Sequence, residues 1–421
     1  MSNLQRDPFR HALDLDIGDA LPVMSVGICV MFITCVHQGF ELYGSDRSFV
    51  ECVSVMRRTY PDAHIEVVLP REGPIVGLLA GVCSRIVFEP IWVLRRKNLR
   101  WLMTLGLLSL PLAMWRAIRR FGQSDLVYIN TSVIVDYAIV ARWFSRKALL
   151  HIHEIPEGAA LTLLRAMALW SRADIIFNSE ATRRTFALPA KAQSQVIYNG
   201  VAGPALSEAC GYDGTRPLRV AMLGRISRIK GQEILIDAVK MLPQEARERL
   251  QIRMVGSAFE DTGQQDALVA RITNAGLVDC VVLEPFTTNT ADIYQWADVV
   301  VVPSRLPESL GRVAIEAMSF ERMVIASNIG GLSEVVDHAT TGWLVPPGDV
   351  KALSDCFARI LERPSVLQSF GVAGRQRFET IFSEEIVSKI FARAISQKLV
   401  GQFQSAEHGI EETTHSKAVQ C

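Results

Sequence analysis

The sequence predicts an α/β protein of two domains, each built on a doubly wound parallel sheet. The chain has 421 residues, which exceeds the about 250–300 residues at which one hydrophobic core stops growing, so two cores are expected. Short apolar runs alternate with helical patterns along both halves, as in parallel sheets with helical crossovers. A stretch rich in Gly and Pro, residues 211–217, separates the halves and is predicted to be a linker.

The first domain is predicted at residues 21–210, after a loose leader at residues 1–20. Residues 20–40 contain no Asp, Glu, Lys or Arg and are predicted to hold the first buried strand. A signal peptide is disfavoured because the preceding segment is acidic. The other patterns of this domain lie at residues 48–57, 65–69, 77–80, 126–129, 135–144, 148–151, 175–177 and 196–197, with a long helical stretch that ends at Arg120.

A basic and aromatic segment at residues 95–120 has two interpretations. Its centre is an uncharged run of 15 residues from Trp101 to Trp115, interrupted by Pro111. That length is below the about 20 residues that span a bilayer. We favour a core helix, and the alternative is an interfacial helix that makes peripheral membrane contact through tryptophan and arginine. The flanking basic residues are Arg95, Arg96, Lys97, Arg100, Arg116, Arg119 and Arg120.

The second domain is predicted at residues 218–383, followed by a helix at residues 384–400 and a disordered polar tail at residues 401–421. Its patterns lie at residues 218–223, 234–241, 251–255, 267–275, 281–283, 292–297, 299–302, 323–327, 350–363 and 371–378.

Two carboxylates follow the strand Val299–Val302, an unbroken β-branched run that is typical of a strand buried on both faces. Glu308 lies in the next loop and Glu316 in the helix that follows. Residues beyond the carboxyl ends of parallel strands line the ligand crevice of such sheets. Two carboxylates there would accept hydrogen bonds from a polyhydroxylated ligand. The alternative is a pair of solvated glutamates near a helix start, which the helix dipole favours.

A basic loop follows the first strand of the second domain. Gly224 and Arg225 begin the loop, and Lys230 and Gly231 end it before a helix. A glycine turn lets the backbone approach a phosphate, and the helix start directs N–H groups outward. Arg225 and Lys230 would neutralise a diphosphate, so the loop is interpreted as a phosphate site, with a solvated basic turn as the alternative.

Together these motifs resemble the retaining family-4 glycosyltransferases of the GT-B fold, known as glycosyl transferases group 1. The shared pattern is a strand, Pro-Ser, Glu308 and Glu316 eight positions apart, an Ala-rich helix, a second strand at residues 323–327 and Gly330-Gly331. The resemblance covers about residues 25–385. It implies two Rossmann-like domains facing across a cleft, with the helix at residues 384–400 crossing back onto the first domain.

The resemblance also implies a role for each site residue. Glu316 binds the ribose hydroxyls and Glu308 the sugar hydroxyls, while Arg225 and Lys230 hold the diphosphate above Gly224. The donor loop includes Leu310 and Gly311, and Phe286 contacts the base. In the first domain, His153 of the His153-Glu154 pair orients the sugar. Gly44 lies in the loop that touches acceptor and donor phosphate in the family, where this chain has Gly44-Ser45-Asp46-Arg47; Ser45-Asp46 is alternatively a helix N-cap.

Neither a metal nor a cofactor is expected. Asp14-Leu15-Asp16 has the form of a manganese motif but precedes the first strand, and the 8 cysteines show no zinc spacing. Equal numbers of basic and acidic residues, 44 of each, disfavour a nucleic-acid partner.

The resemblance therefore implies a metal-independent enzyme that moves a hexosyl unit, with retention, from a UDP- or GDP-linked donor to an acceptor hydroxyl. The expected acceptor is a lipid-linked or surface-polysaccharide precursor, and the expected location is the cytoplasm or the inner face of the plasma membrane. Two alternatives stay open: a nucleotide-sugar epimerase of the same fold, and a catalytically silent GT-B binding module.

Overall fold

Two parallel sheets, one in each half of the chain, organise the fold. The computed structural model describes residues 30–41, 44–94, 105–258 and 262–418. The prediction of two doubly wound parallel sheets is confirmed. The predicted leader at residues 1–20, with Asp14-Leu15-Asp16, lies outside the described residues, as do residues 95–104.

The first sheet has strand order β3-β2-β1-β4-β5-β6-β7, and every neighbouring pair is parallel. Its strands are β1 (Phe32–His37), β2 (His64–Leu69), β3 (Arg85–Phe88), β4 (Leu126–Asn130), β5 (Ala148–Ile152), β6 (Asp174–Phe177) and β7 (Ser194–Val196). The chain changes direction across the sheet at β1 and β4. In such a sheet the ligand crevice lies at the carboxyl ends of these central strands.

Helices cover both faces of the first sheet because its central strands are buried on both sides. They are α1 (Gly44–Thr59), α2 (Ile75–Leu79), α3 (Leu110–Gln123), α4 (Val135–Val140), α5 (Gly158–Ser171) and α6 (Glu180–Phe186). One face packs on α1 and α2 through side chains such as Phe49 and Leu79. The other face packs on α3 to α6, for example through Phe121 and Phe186.

The second sheet has strand order β10-β9-β8-β11-β12-β13 and is also parallel throughout. Its strands are β8 (Leu218–Leu223), β9 (Leu250–Val255), β10 (Val281–Glu284), β11 (Val299–Val302), β12 (Met323–Ser327) and β13 (Gly342–Val345). All four side chains of β11 are buried, as the β-branched run predicts.

The helices of the second domain are α7 (Gln232–Met241), α8 (Gln244–Arg247), α9 (Thr262–Asn274), α10 (Ala291–Trp296), α11 (Arg312–Ser319), α12 (Leu332–Val335), α13 (Val350–Glu362) and α14 (Val366–Arg377). Cys210 and Tyr212 pack into this domain's core. The chain therefore joins the second domain before the segment predicted to be the linker, residues 211–217, has ended.

A last helix, α15 (Glu384–Ala418), returns to the first domain. Val387, Phe391 and Ile395 pack into the core beside α1, and Lys398 Nζ lies 2.9 Å from the carboxylate of Asp174. The helix continues through residues 401–418, where the sequence predicts a disordered tail.

The region before β4 differs from the prediction in two respects. The stretch predicted as one helix up to Arg120 contains strand β3, and α3 begins only at Leu110. The favoured core helix is wrong for the described part of residues 101–115, because Leu108 and Trp115 are 80% and 56% exposed. Among the described residues, no helix has both the length and the apolar character that a membrane span requires.

Candidate active site

The basic loop after β8 has the backbone of a tight ligand-binding turn. Gly224 has φ +146° and Gly231, which precedes α7, has φ +75°, values that L side chains rarely adopt. A Cβ at Gly231 would collide with the carbonyl oxygen of Pro303 at the end of β11, so the loop lies directly against the neighbouring strand. The aliphatic part of Lys230 lies 3.5 Å from the position a Cβ would take on Gly224.

Lys230 and Glu308, predicted from separate motifs, meet in an ion pair. Lys230 Nζ lies 2.8 Å from Glu308 Oε2, and the two side chains are 23% and 13% exposed. The hydroxyl of Ser304 donates a hydrogen bond to the other oxygen of Glu308. One positive and one negative group therefore stand together at the carboxyl ends of β8 and β11, where a ligand phosphate and a ligand hydroxyl could each take one of them.

The loop that carries Glu308 is shaped by glycines. The N–H of Gly331 donates to the carbonyl of Glu308 over 2.8 Å, and a Cβ at Gly330 would collide with that same carbonyl. Gly311 has φ +93° and begins α11. Leu310, predicted to bind the donor, is 3% exposed and packs into the core, so only its backbone is available to a ligand.

Glu316 on α11 is held by two residues that the motifs did not indicate. Arg312 Nε donates to Glu316 Oε1 over 2.9 Å, and the hydroxyl of Tyr294 donates to Glu316 Oε2 over 2.7 Å. Arg312 Nη2 also donates across the cleft to Glu51 Oε1 on α1 over 3.0 Å. Burial raises the pKa of Glu51, and Arg312 opposes the rise. The i,i+4 spacing of Arg312 and Glu316 was the available sequence signal.

The first-domain wall of the cleft is a buried hydrogen-bond network centred on Asn130 at the end of β4. His153 Nε2 donates to Asn130 Oδ1 over 2.8 Å, and Asn130 Nδ2 donates to His37 Nδ1 over 3.0 Å. His37 Nε2 lies 2.7 Å from Asp46 Oδ1, so Asp46, which lies within α1, is also part of this network. Tyr128 completes it with a hydroxyl that donates to Asn130 Oδ1 over 2.8 Å and lies 2.7 Å from His151 Nδ1.

Two histidines of this wall, His151 and His153, are buried and have lowered pKa values. Burial lowers the pKa of His153 to about 3, and the neighbouring His37 adds to the effect. Burial likewise lowers the pKa of His151. Within the described part of the chain, no hydrogen bond joins His153 to the second domain.

Glu154 accepts hydrogen bonds from Thr131 and from the Ser132 hydroxyl, the latter over 2.9 Å, and so holds the loop after β4.

Two further contacts join the domains beside the cleft. Asn178 Nδ2 donates to the Ser309 hydroxyl over 3.2 Å. Glu334 accepts hydrogen bonds from the backbone N–H groups of Glu180, over 2.8 Å, and Ala181, at the start of α6. Glu334 thus lies at the N-terminus of a first-domain helix, where the helix dipole favours a carboxylate.

The remaining predicted residues lie around these pairs. Gly44 begins α1, and Arg312 Cδ is the atom nearest to where its Cβ would be, at 4.0 Å. Arg225 is exposed, and its carbonyl accepts a hydrogen bond from Gln232 Nε2 over 2.9 Å. Phe286 follows β10 and is 53% exposed, and its N–H donates to the Ser257 hydroxyl over 3.0 Å. Among the described residues, no group of three or more His, Cys, Asp and Glu is placed to hold a metal ion.

Comparison with known sequences identifies the second domain. Residues 214–377 match the family model of glycosyl transferases group 1. The amylovoran biosynthesis glycosyltransferase AmsK of Erwinia amylovora is 28% identical over 195 residues, which are 43% of this chain and 45% of that protein. The D-inositol 3-phosphate glycosyltransferase of Xylanimonas cellulosilytica is 31% identical over 205 residues, 48% of each protein. The chain thus matches less than half the length of these relatives.

Comparison with solved structures extends the similarity to both domains. The crystal structure of Anabaena Alr3699/HepE in complex with UDP and glucose superposes with a TM-score of 0.72 at 23% identity, over 87% of this chain and 99% of that one. Sucrose-phosphate synthase from Thermosynechococcus elongatus superposes with a TM-score of 0.68 at 19% identity, over 88% and 100%. At these identities the likeness concerns the fold. Residues 214–377 thus resemble the glycosyl transferases group 1, and the two domains together have the GT-B fold.

Proposed function

We propose that the protein is a retaining, metal-independent glycosyltransferase that moves a hexosyl unit from a nucleoside diphosphate sugar to an acceptor hydroxyl. The observation that carries the proposal is the meeting of Lys230 and Glu308, 2.8 Å apart, beside Glu316 within a group 1 domain. These groups provide one cation for a diphosphate and two carboxylates for hydroxyls.

When the donor binds, its groups would replace some of the partners that these side chains have in the structure. Its diphosphate takes the Lys230 ammonium, with Arg225 beside it, and the sugar hydroxyls donate to Glu308. Charge grows on the diphosphate as the glycosidic bond breaks, so a fixed cation there stabilises the transition state more than the ground state. Glu316, already oriented by Arg312 and Tyr294, accepts hydrogen bonds from the ribose.

The first domain would contribute neutral hydrogen-bonding groups. His153 donates through Nε2 to Asn130, which leaves Nδ1 as an acceptor without a partner among the described residues. A sugar hydroxyl is a suitable donor to that nitrogen after a small opening of the wall. We assign no protein nucleophile, and in the proposed front-face transfer the leaving phosphate takes the proton of the acceptor hydroxyl.

We propose a UDP-linked sugar as the first donor to test and a GDP-linked sugar as the second. HepE is named as a complex with UDP and glucose. AmsK is named for amylovoran biosynthesis, and CapM of Staphylococcus aureus, 27% identical over 168 residues, for capsular polysaccharide biosynthesis. A lipid-linked or surface-polysaccharide precursor is accordingly the proposed acceptor. The proposed location is the inner face of the plasma membrane, with peripheral contact through the region of residues 95–120.

The test is donor binding followed by transfer. Purified protein is screened with UDP- and GDP-sugars for a rise in melting temperature, and the donor that binds is assayed with lipid-linked glycans in buffer with and without EDTA. We expect a rise in melting temperature, and transfer that persists in EDTA with retained anomeric configuration. Loss of transfer in EDTA would contradict metal independence.

Two outcomes would favour the alternatives. Conversion of the donor sugar to its epimer, with no acceptor present, would indicate a nucleotide-sugar epimerase. Failure of every nucleotide sugar to bind would indicate a silent binding module. Either result would overturn the proposed transferase.

A further inference from the structure

One carboxylate, Asp46 in α1, lies behind the first-domain wall of the cleft. Its Oδ1 is 2.7 Å from His37 Nε2, and the two residues are 4% and 1% exposed. A Cβ on Gly39 would collide with Asp46 Oδ1, so the backbone closes over the pair. The His37 ring also stacks on Phe49, with 4.5 Å between the ring centroids. His37 is therefore held in one orientation, with Nε2 toward the carboxylate and Nδ1 toward Asn130.

The carboxylate sets the direction of the hydrogen bonds that follow from it, because an ionised carboxylate only accepts. The hydrogen between Asp46 and His37 therefore belongs to His37 Nε2. Asn130 Nδ2 donates to His37 Nδ1 over 3.0 Å, so that nitrogen is the acceptor of the ring. The side-chain amide of Asn130 is thus oriented with its NH₂ group toward His37 and its oxygen toward the other residues of the wall.

The oxygen of Asn130 carries the same direction to two more histidines. It lies 2.8 Å from both the Tyr128 hydroxyl and His153 Nε2, and it accepts from each. His153 therefore has its hydrogen on Nε2, which leaves Nδ1 as an acceptor. The Tyr128 hydroxyl, whose own hydrogen points to Asn130, accepts from His151 Nδ1 over 2.7 Å. His151 and His153, with ring centroids 3.9 Å apart, are thus expected in opposite tautomers.

A reversed arrangement of the same side chains differs only at the carboxylate. The carbonyl oxygen of Asn130 lies 3.4 Å from His37 Nδ1, and a hydrogen on that nitrogen would turn the amide round and invert both tautomers. Histidine, asparagine and tyrosine can each donate or accept, so Asp46 is the member of the network that distinguishes the two arrangements. In a buried network a donor that faces a donor is costly, so the groups change direction together.

We propose that Asp46 is a positioning residue that makes His153 an acceptor and thereby selects a hydroxyl on the transferred sugar. His153 follows β5 directly, and its Nδ1 has no partner among the described residues. A bare ring nitrogen binds the hydrogen of a hydroxyl and repels an atom that only accepts, such as fluorine. Asp46 is buried and acts through His37 and Asn130. The inference rests on the proposed function, in which His153 orients the sugar.

The first experiment observes the tautomers. Long-range proton–nitrogen NMR spectra of the full chain with isotope-labelled histidine distinguish a bare ring nitrogen from a protonated one, and the variants His153→Gln and His151→Gln assign the signals. We expect the hydrogen on Nε2 in His153 and on Nδ1 in His151. Asp46→Asn, whose amide can donate or accept, should move His153 toward the Nδ1–H tautomer. A hydrogen on His153 Nδ1 in the wild type, or an unchanged His153 tautomer in Asp46→Asn, would overturn the proposal.

Tyr128→Phe is the matched control within the network. It removes the hydroxyl that accepts from His151 but keeps the connection from Asp46 to Asn130. His153 should therefore retain its tautomer, while His151 loses the group that fixes its own. A change of the His153 tautomer in Tyr128→Phe would show that Asp46 does not set the direction.

Gly39→Ala tests the same contact without changing a polar group. Its Cβ would displace Asp46 from His37, so the His153 tautomer should change as it does in Asp46→Asn. This second variant serves if Asp46→Asn does not fold, and the spectrum of the wild type remains decisive in either case.

The second experiment asks whether the acceptor nitrogen selects the sugar. Transfer is measured with the nucleotide sugar that binds and with analogues whose 3-, 4- or 6-hydroxyl is replaced by fluorine, which cannot donate. At one position we expect fluorine to lower kcat/KM by about tenfold or more in the wild type relative to its effect in Asp46→Asn. Comparing the two proteins cancels the inductive effect of fluorine on the reaction. Equal losses in both proteins at every position would overturn the proposal.

Nucleotide binding separates this inference from the proposed function. Lys230, Glu308 and Glu316 lie on the other domain, so free UDP or GDP should raise the melting temperature of Asp46→Asn as much as that of the wild type. Normal transfer with an unchanged His153 tautomer in Asp46→Asn would overturn this inference and leave the transferase intact. A wild type that binds no nucleotide sugar would refute the transferase and with it the selection of a sugar hydroxyl, whereas the NMR spectra would still decide whether Asp46 sets the tautomers.

Discussion

The two walls of the cleft use different chemistry. The second-domain wall presents formal charges in ion pairs, Lys230 with Glu308 at 2.8 Å and Arg312 with Glu316 at 2.9 Å. The first-domain wall presents a network of histidine, asparagine and tyrosine around the fully buried Asn130, with one carboxylate, Asp46, behind His37. The charged side chains keep 13–23% exposure, whereas His151 keeps 2%.

The difference agrees with what each wall would hold under the proposed function. A charged side chain can exchange a carboxylate partner for a phosphate when solvent still reaches it, because neither state leaves a buried charge unpaired. A buried histidine loses its charge instead, and burial lowers the pKa of His153 to about 3. The second domain is therefore suited to a charged diphosphate and the first to neutral hydroxyls. Arg312 connects the walls through Glu51.

The largest effect is expected from breaking the charged wall. Lys230→Ala, and separately Glu308→Gln, should lower kcat by about 10²–10³-fold, because under the proposed function each removes a group that contacts the diphosphate or the sugar hydroxyls in the transition state. The melting temperature should change little, since the pair is partly exposed. Transfer assays on purified variants measure the loss.

Arg305→Ala is the matched control for this experiment. Arg305 lies on the loop of Glu308 and pairs with Glu233 at 3.0 Å on the surface, so its removal should leave turnover unchanged. Near-normal turnover in Lys230→Ala or Glu308→Gln would refute the site assignment.

Breaking the connection between the walls should have a smaller effect. Arg312→Ala should lower kcat/KM on the order of tenfold, chiefly through the donor KM, because Glu316 loses the group that orients it. Glu51→Gln should lower kcat/KM by less than Arg312→Ala does, because Arg312 remains in place to orient Glu316.

A double-mutant cycle sharpens this prediction. If Glu51 acts only through Arg312, the double variant should match Arg312→Ala alone. Additive losses would show instead that the two residues act independently.

The neutral wall predicts a specific dependence of stability on pH. The pKa of His153 falls from its ordinary value of 6.5 to about 3 on folding, so the unfolded chain binds more protons between these values. Stability from this group is present above pH 6.5 and is lost as pH falls toward 3. His153→Gln should flatten that loss, measured as the free energy of unfolding in urea at each pH.

The buried carboxyl group of Asp136 changes the pH dependence of stability in the opposite direction to His153, so it must be considered in that measurement. Burial raises its pKa from 3.8 to about 7, so its contribution is lost as pH rises through that window. Because the two effects overlap, the informative quantity is the difference between wild type and His153→Gln at the same pH. A difference that does not vary with pH would contradict the neutral wall.

The smallest effect concerns the backbone beneath the charged wall. Gly231→Ala should lower the free energy of unfolding by more than Gly276→Ala, for which we expect about 1 kcal/mol. Both glycines have positive φ, +75° and +66°, but only at Gly231 would a Cβ collide, with the carbonyl of Pro303. Equal losses in denaturant unfolding would show that the loop relaxes away from β11.

Local patterns predicted much of the fold. The alternation of elements predicted both sheets, and the β-branched run of β11 predicted its burial. Helix α5 was missed because its apolar residues occur on both sides, so that no helical period separates them. Strand β3 was missed because only two of its four residues, Ile86 and Val87, are partly buried and the others are exposed.

Residue types near strand ends were enough to predict Lys230 and Glu308, since parallel topology brings all carboxyl ends of a sheet to one edge. The same reasoning found His153 but not its surroundings. Asn130 and His37 come from different strands, and their hydrogen bond depends on strand order, which no local pattern specifies.

The sequence by itself determined the elements, the glycine turns and the charged residues at the ends of β8 and β11, because these depend on neighbours along the chain. Only the tertiary structure decided which groups pair across the cleft. Glu51 and Arg312 are 261 positions apart, and Glu180 and Glu334 are 154 apart. Such pairs exist because two separately folded sheets dock with one relative orientation, which is set by packing over the whole interface.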